Sequence, residues 1–172
     1  QAGAMGGLGV LTELSFKVLP KPALTLTLRE HCSEAEALAM MSKRAQQPMP
    51  MTAATWFDGY LYTRLSGAES AVNATAASWG GEHLDSGADF WNSIRDQTHP
   101  FFNGSEPLWR FSINSSAAPL MPEHACLIDW GGALRWYAGR FEPARMHELA
   151  ERAGGQATLF RGAEENSEVN HP

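Results

Sequence analysis

The stretch LIDWGGALRWYAG gathers the residue types best suited to chemistry in this chain. Asp129, Trp130, Arg135 and Trp136 flank the Gly131-Gly132 pair, which reads as a tight hairpin turn. A carboxylate, a cation and two indoles brought together there would line a pocket able to accept a proton and hold an anion. The same spacing suits a plain structural hairpin, with Trp130 in the core and Asp129 paired to Arg135 across the strands. Arg110, inside the aromatic run PLWRFSI, is a second candidate anchor for a carboxylate, because a guanidinium can grip one through two parallel hydrogen bonds. Pairing with one of the chain's own acidic residues is the alternative.

Near the amino end, GAMGGLG carries Gly3, Gly6, Gly7 and Gly9, a density that lets backbone approach a ligand closely. A dinucleotide fingerprint would be followed by a helix, and a Walker loop by Gly-Lys-Ser/Thr; here an apolar, strand-like run follows instead. MHELAER resembles half of a zinc-protease helix, but Glu151 stands where the second His would be needed, so His147 reads as a helix-surface residue. Cys32 and Cys126 sit far apart and read as buried free thiols. No Ser/His/Asp nucleophile set and no metal-ligand spacing stands out. Asn73, Asn103 and Asn114 each open an Asn-x-Ser/Thr triplet, which without evidence of secretion reads as chance.

The elements that must position these residues follow from periodicity and turn chemistry. VLTELSFKVLP reads as a strand, broken by Pro20 and Pro22. Leu24, Leu26 and Leu28 alternate with Thr25, Thr27 and Arg29 as in a half-buried strand. Ser33 and Glu36 have capping-box spacing ahead of a helix striped by Leu38, Met41 and Ala45; Ser66 with Glu69 and Ser86 with Asp89 repeat that signal. TAATWF and YLYTRL form a hairpin through Asp58-Gly59, and ACLIDW with ALRWYAG a second one. Pro143 opens a last helix, and QATLFR is a last strand. Mixed hairpins and helices predict an α+β fold: a ferredoxin-like βαββαβ plait with a partial second ββαβ repeat, the sheet antiparallel and the helices on one face. Residues 1–22 read as a loop and crossover, 23–161 as the plait domain, and 162–172 as a polar, mobile tail. A formal net charge of −6 argues against a nucleic-acid footprint, and no apolar run reaches membrane-helix length.

Three of these stretches occur together in one order: GGLGVLTELSFKVLPKP, FWNSIRDQTHPFF with LWRFSI, and LIDWGGALRWYAG. In that order and spacing the chain resembles the FAD-linked oxidases of the vanillyl-alcohol-oxidase type, and within them the FAD-binding subunits of bacterial glycolate oxidases. The likeness runs from about Gly3 to Phe160. It implies a cap domain on the substrate side of FAD, with most of the cofactor held by an FAD domain preceding residue 1. It implies flavin contacts from Gly6, Gly9 and Val10, with Gly7 where a Thr or other small residue is more usual. It implies sister subunits as partners, oxidation of glycolate to glyoxylate by the full complex, weak or absent FAD binding by these residues alone, and a cytoplasmic location with membrane association only through partners. Family members that oxidise 2-hydroxy acids carry a His-x-Gly-Asp-Gly-Asn-type hairpin in this domain. Here the nearest hairpin has Asp129-Trp130 and no His, which points to a supporting role. A non-catalytic scaffold and an independent dehydrogenase with Asp129 as base are the alternatives.

Overall fold

The computed structural model describes residues 7–18 and 20–162. Its regular part opens with β1 (Leu24–His31), α1 (Glu34–Ala45), β2 (Met51–Phe57), β3 (Tyr60–Gly67) and α2 (Glu69–Trp79). It continues through β4 (Glu82–His83), α3 (Gly87–Arg95), β5 (Leu108–Ser112), β6 (Cys126–Asp129), β7 (Leu134–Ala138), α4 (Pro143–Arg152) and β8 (Gln156–Arg161). All eight strands join one sheet in the order β4-β1-β3-β2-β6-β7-β5-β8, and every neighbouring pair is antiparallel.

The order resolves into two plaits. In the first, β1-α1-β2-β3-α2-β4 takes the spatial order β4-β1-β3-β2. In the second, β5, β6, β7, α4 and β8 repeat that arrangement as β6-β7-β5-β8, and the halves meet where β2 pairs with β6. The second plait has no counterpart of α1; residues 113–125, without regular structure, connect β5 to β6. The α+β class and the ferredoxin-like plait with a partial repeat therefore stand, with one boundary moved and one correction: the helices do not share one face, because α3 packs opposite α1, α2 and α4. The strand closing the first plait is the two-residue β4, too short to show any periodicity, and PLWRFSI opens the second plait instead.

Side-chain alternation gives the sheet two distinct faces. One face is covered by α1, α2 and α4. Leu28 and Leu65 meet Val72 and Ala76 of α2, while Trp109, Phe111, Ile128 and Tyr137 meet Ala37, Leu38 and Met41 of α1 and Met146 and Ala150 of α4. Fully burying such a side chain contributes roughly 1.5–3 kcal/mol, so this face carries much of the stability. The other face holds α3, whose Trp91 donates its indole N–H to Thr27 Oγ1 at 2.9 Å and whose Phe90 stacks on Tyr62 at 4.1 Å. Next to it, a short 3-10 turn at Pro100–Phe102 sets Phe102 among Leu108, Leu127, Leu134 and Trp136. Gly87 makes the approach of α3 possible: a Cβ there would lie 2.4 Å from Thr27 Oγ1 and 2.8 Å from Thr27 Cβ.

Local signals fared unevenly. The Ser33–Glu36 capping box forms in full. The Ser66–Glu69 one does not, because Ser66 remains in β3 with its hydroxyl 2.7 Å from that of Thr25, and Ala68 precedes the helix. The expected strand over VLTELSFKVLP is absent: residues 7–18 have no regular structure, and Leu8, Val10, Phe16 and Val18 are exposed. An alternating apolar run becomes a strand only where a neighbour supplies hydrogen bonds and an apolar surface. None does here among the described residues.

Candidate functional site

The open face of the sheet carries a cleft along the edge of α3. At the end where β2 begins and β6 finishes, a cavity of about 590 Å³ is lined by Thr52, Arg64, Trp91, Asn92, Asp129 and Trp130 among others. A second cavity of about 450 Å³ shares Arg64, Trp91 and Asn92 and adds His83 and Asp85. Arg64 therefore stands on the saddle between the two.

The strand register explains how Arg64 comes to point there. In β3, Tyr60, Tyr62 and Arg64 alternate with the buried Leu61, Thr63 and Leu65, so the first set lies on the α3 side of the sheet, where Arg64 reaches the cleft. The β2–β3 ladder is interrupted between Met51 and Ala53, leaving Thr52 as the extra residue of a bulge. Bulges re-aim side chains. Here Thr52 Oγ1 accepts from Arg64 Nε at 3.0 Å, and the guanidinium lies over the Trp91 ring at 5.4 Å. Arg29, Arg44, Arg95 and Arg152 each pair with a carboxylate. Among the described residues Arg64 has no such partner.

Asp129 ends β6 on the same wall of the larger cavity. The hydroxyl of Thr55, itself fully buried, donates to Asp129 Oδ1 at 2.6 Å and fixes the carboxylate at the β2–β6 junction. Trp130 follows with a φ of 50° and an exposed indole. A side chain in that left-handed region costs roughly 1–2 kcal/mol, and such strain collects at functional turns. Gly132, at a φ of 102°, turns the chain where a Cβ would lie 2.6 Å from the carbonyl oxygen of Ser115.

Arg135 and Asp129 do not form the expected pair. Arg135 pairs in register with Ile128 and Phe111 and points to the helical face, where it is fully buried. Its guanidinium donates to the carbonyls of Ala117, Ala118 and Gly132 and so clamps the 113–125 connection to the hairpin turn. Trp130 is likewise not a core residue. Trp136 is buried, and Arg110 lies 6.0 Å from its ring and 5.9 Å from that of Trp130, on the cleft face and without a carboxylate partner among the described residues. The five residues singled out in and near this hairpin thus divide: Asp129, Trp130 and Arg110 share the open face, Trp136 is buried on that same side, and Arg135 is structural.

Behind the hairpin, the helical face holds a buried polar group. Burial pushes the Cys126 thiol up to about 12 and raises Glu34, even with Arg135 nearby opposing the latter shift. The Tyr137 hydroxyl and one Glu34 oxygen are buried without a hydrogen-bond partner. Cys32 and Cys126 are buried free thiols as expected. Burial also lowers His99, whose Nδ1 accepts from the Phe101 N–H at 3.3 Å.

Sequence comparison gives this geometry its context. The chain is 42% identical over 158 residues to the glycolate oxidase subunit GlcE of Escherichia coli (strain K12). The chain is homologous to GlcE. The alignment takes in 92% of this chain and 45% of GlcE, so the chain spans a little under half the length of that relative. No family model matches the chain, and no solved structure matches it. Of the loop positions expected to touch flavin, Gly6 lies outside the described residues, whereas Gly7, Gly9 and Val10 are exposed and Gly9 adopts a φ of 134°. Among the described residues, no helix is long and apolar enough to cross a membrane.

Arg64, Thr52, Trp91 and Asn92 escaped the sequence reading. The one usable signal was the arginine at an alternating position in YLYTRLSG, facing the same way as two tyrosines. Its proximity to α3 depends on a bulge and a helix crossing that no local pattern announces.

Proposed function

We propose that this chain is the cap region of an FAD-binding subunit in a glycolate oxidase complex, covering the substrate side of the flavin. The observation that carries the reading is the 42% identity with GlcE across 92% of the chain. Residues 7–18 enter β1 at the sheet end that holds the larger cavity, since Leu24 pairs with Gly67 and Met51 with Leu65 at that end. Leu24 lies fourteen positions beyond Val10, a span of up to roughly 50 Å when extended, so Gly7, Gly9 and Val10 can touch a cofactor edge while the cleft covers another part of it.

The residues suit a partial contact with FAD. Around Gly9 nothing lies within 4 Å of where a Cβ would be, which leaves the backbone open to a flat group. Leu8, Val10, Phe16 and Val18 present apolar side chains with no cover among the described residues, as a strip that packs on another body would. When bound, the flavin supplies the hydride acceptor for oxidation of a 2-hydroxy acid. This chain's share is a supporting one: to exclude water over the flavin with the cleft face and to hold Asp129, ordered by Thr55, on the cleft wall.

The visible spectrum of the purified full-length protein tests this. Flavin absorption that is bleached by glycolate in the presence of its partner subunits supports it. A colourless protein that co-purifies with those subunits would instead favour a scaffold.

A further inference from the structure

We infer that Arg64 anchors a small 2-hydroxy carboxylate in the cleft, a site that rests on the cap reading and names the group holding its substrate class. Four observations converge on it. Arg64 lines both cavities of the cleft. Thr52 engages Nε and so fixes the guanidinium plane, leaving both terminal nitrogens for a ligand. Trp91 backs that plane at 5.4 Å and is itself tied to Thr27, so the platform is rigid. Most telling is the charge: no carboxylate pairs with Arg64 among the described residues, in a chain whose net charge is −6.

A guanidinium with an ordered plane and two free terminal nitrogens matches a carboxylate through two parallel hydrogen bonds. Two further groups fit a hydroxyl beside that carboxylate. Asn92 offers an amide on the shared wall, and Asp129 offers an acceptor on the larger cavity. Monoanions with a neighbouring hydroxyl thus find a complementary donor and acceptor set, whereas a tetrahedral inorganic anion would leave the Asp129 carboxylate facing it.

The test is arginine-selective modification of the full-length protein by phenylglyoxal, read by peptide mass spectrometry with and without glycolate. Glycolate should slow modification of Arg64 at least about fivefold while leaving the exposed Arg145 unchanged. Arg64→Gln should weaken glycolate binding about tenfold or more by calorimetry, the loss expected for a charge-assisted pair. Thr52→Val should weaken it less, because the charge stays and only its aim is lost. Equal modification of Arg64 with and without glycolate overturns the inference, as does equal protection by sulfate. The readouts separate from those of the cap reading. A yellow protein whose Arg64 is unprotected retains the reading and loses the site; a colourless one with protected Arg64 does the reverse.

Discussion

Asp129 and Arg135 project from opposite faces of one hairpin. Thr55 donates to Asp129 on the open face, while Arg135 donates to three backbone carbonyls on the helical face. The turn between them, with Trp130, Gly131 and Gly132 all at positive φ, is held from behind by the arginine and presents its carboxylate in front.

That division sets the cost of each substitution. Arg135→Met should destabilise the protein by about 3 kcal/mol, because the buried carbonyl of Gly132 and the part-buried ones of Ala117 and Ala118 lose their donors. Asp129→Asn should cost no more than about 1 kcal/mol, since the amide oxygen still accepts from Thr55. Urea unfolding of the two variants checks the contrast, and equal costs would contradict it.

The approach of α3 to the sheet depends on one missing side chain. In Gly87→Ala, the new methyl meets Thr27 Oγ1 and Cβ at 2.4 and 2.8 Å, so helix and strand must part. We expect a loss of about 2 kcal/mol from overpacking. We also expect a red-shifted tryptophan emission as Trp91 leaves Thr27. An unchanged melting temperature and spectrum would show that the contact is slack.

Glu34 should make stability depend on pH. Burial raises its folded-state pKa above the ordinary 4.5, so the folded protein keeps a proton that the unfolded chain has released. The stability held by that proton is complete below the ordinary value and is lost as pH rises through the raised one. Glu34→Gln removes this dependence. The melting temperature of the wild type should therefore fall relative to the variant as pH rises above the ordinary 4.5. Parallel curves would mean that Glu34 titrates as an exposed carboxylate.

Much of the framework was legible because it is local. Asp58-Gly59, Gly131-Gly132 and the Ser33–Glu36 box each carry their own geometry in a few residues, and the strands beside them alternate cleanly. What failed was relational. The run through Val10 and Phe16 has strand composition but no partner among the described residues, so it stays open. Trp130 has the hydrophobicity of a core residue but sits where the turn throws it outward, 67% exposed. Arg135 and Arg110 look alike in sequence; only strand register decides that one is buried as a clamp and the other lies beside indoles. Arg64 needed a bulge in a different strand to become visible as a candidate.

The cap reading meets its most direct test in reconstitution of the glycolate oxidase complex with and without this subunit, following glycolate-dependent dye reduction. Activity should appear only when the subunit is present, and Arg64→Gln should raise the KM for glycolate while the complex still assembles. Full activity from the remaining subunits alone would contradict a place for this chain over the flavin.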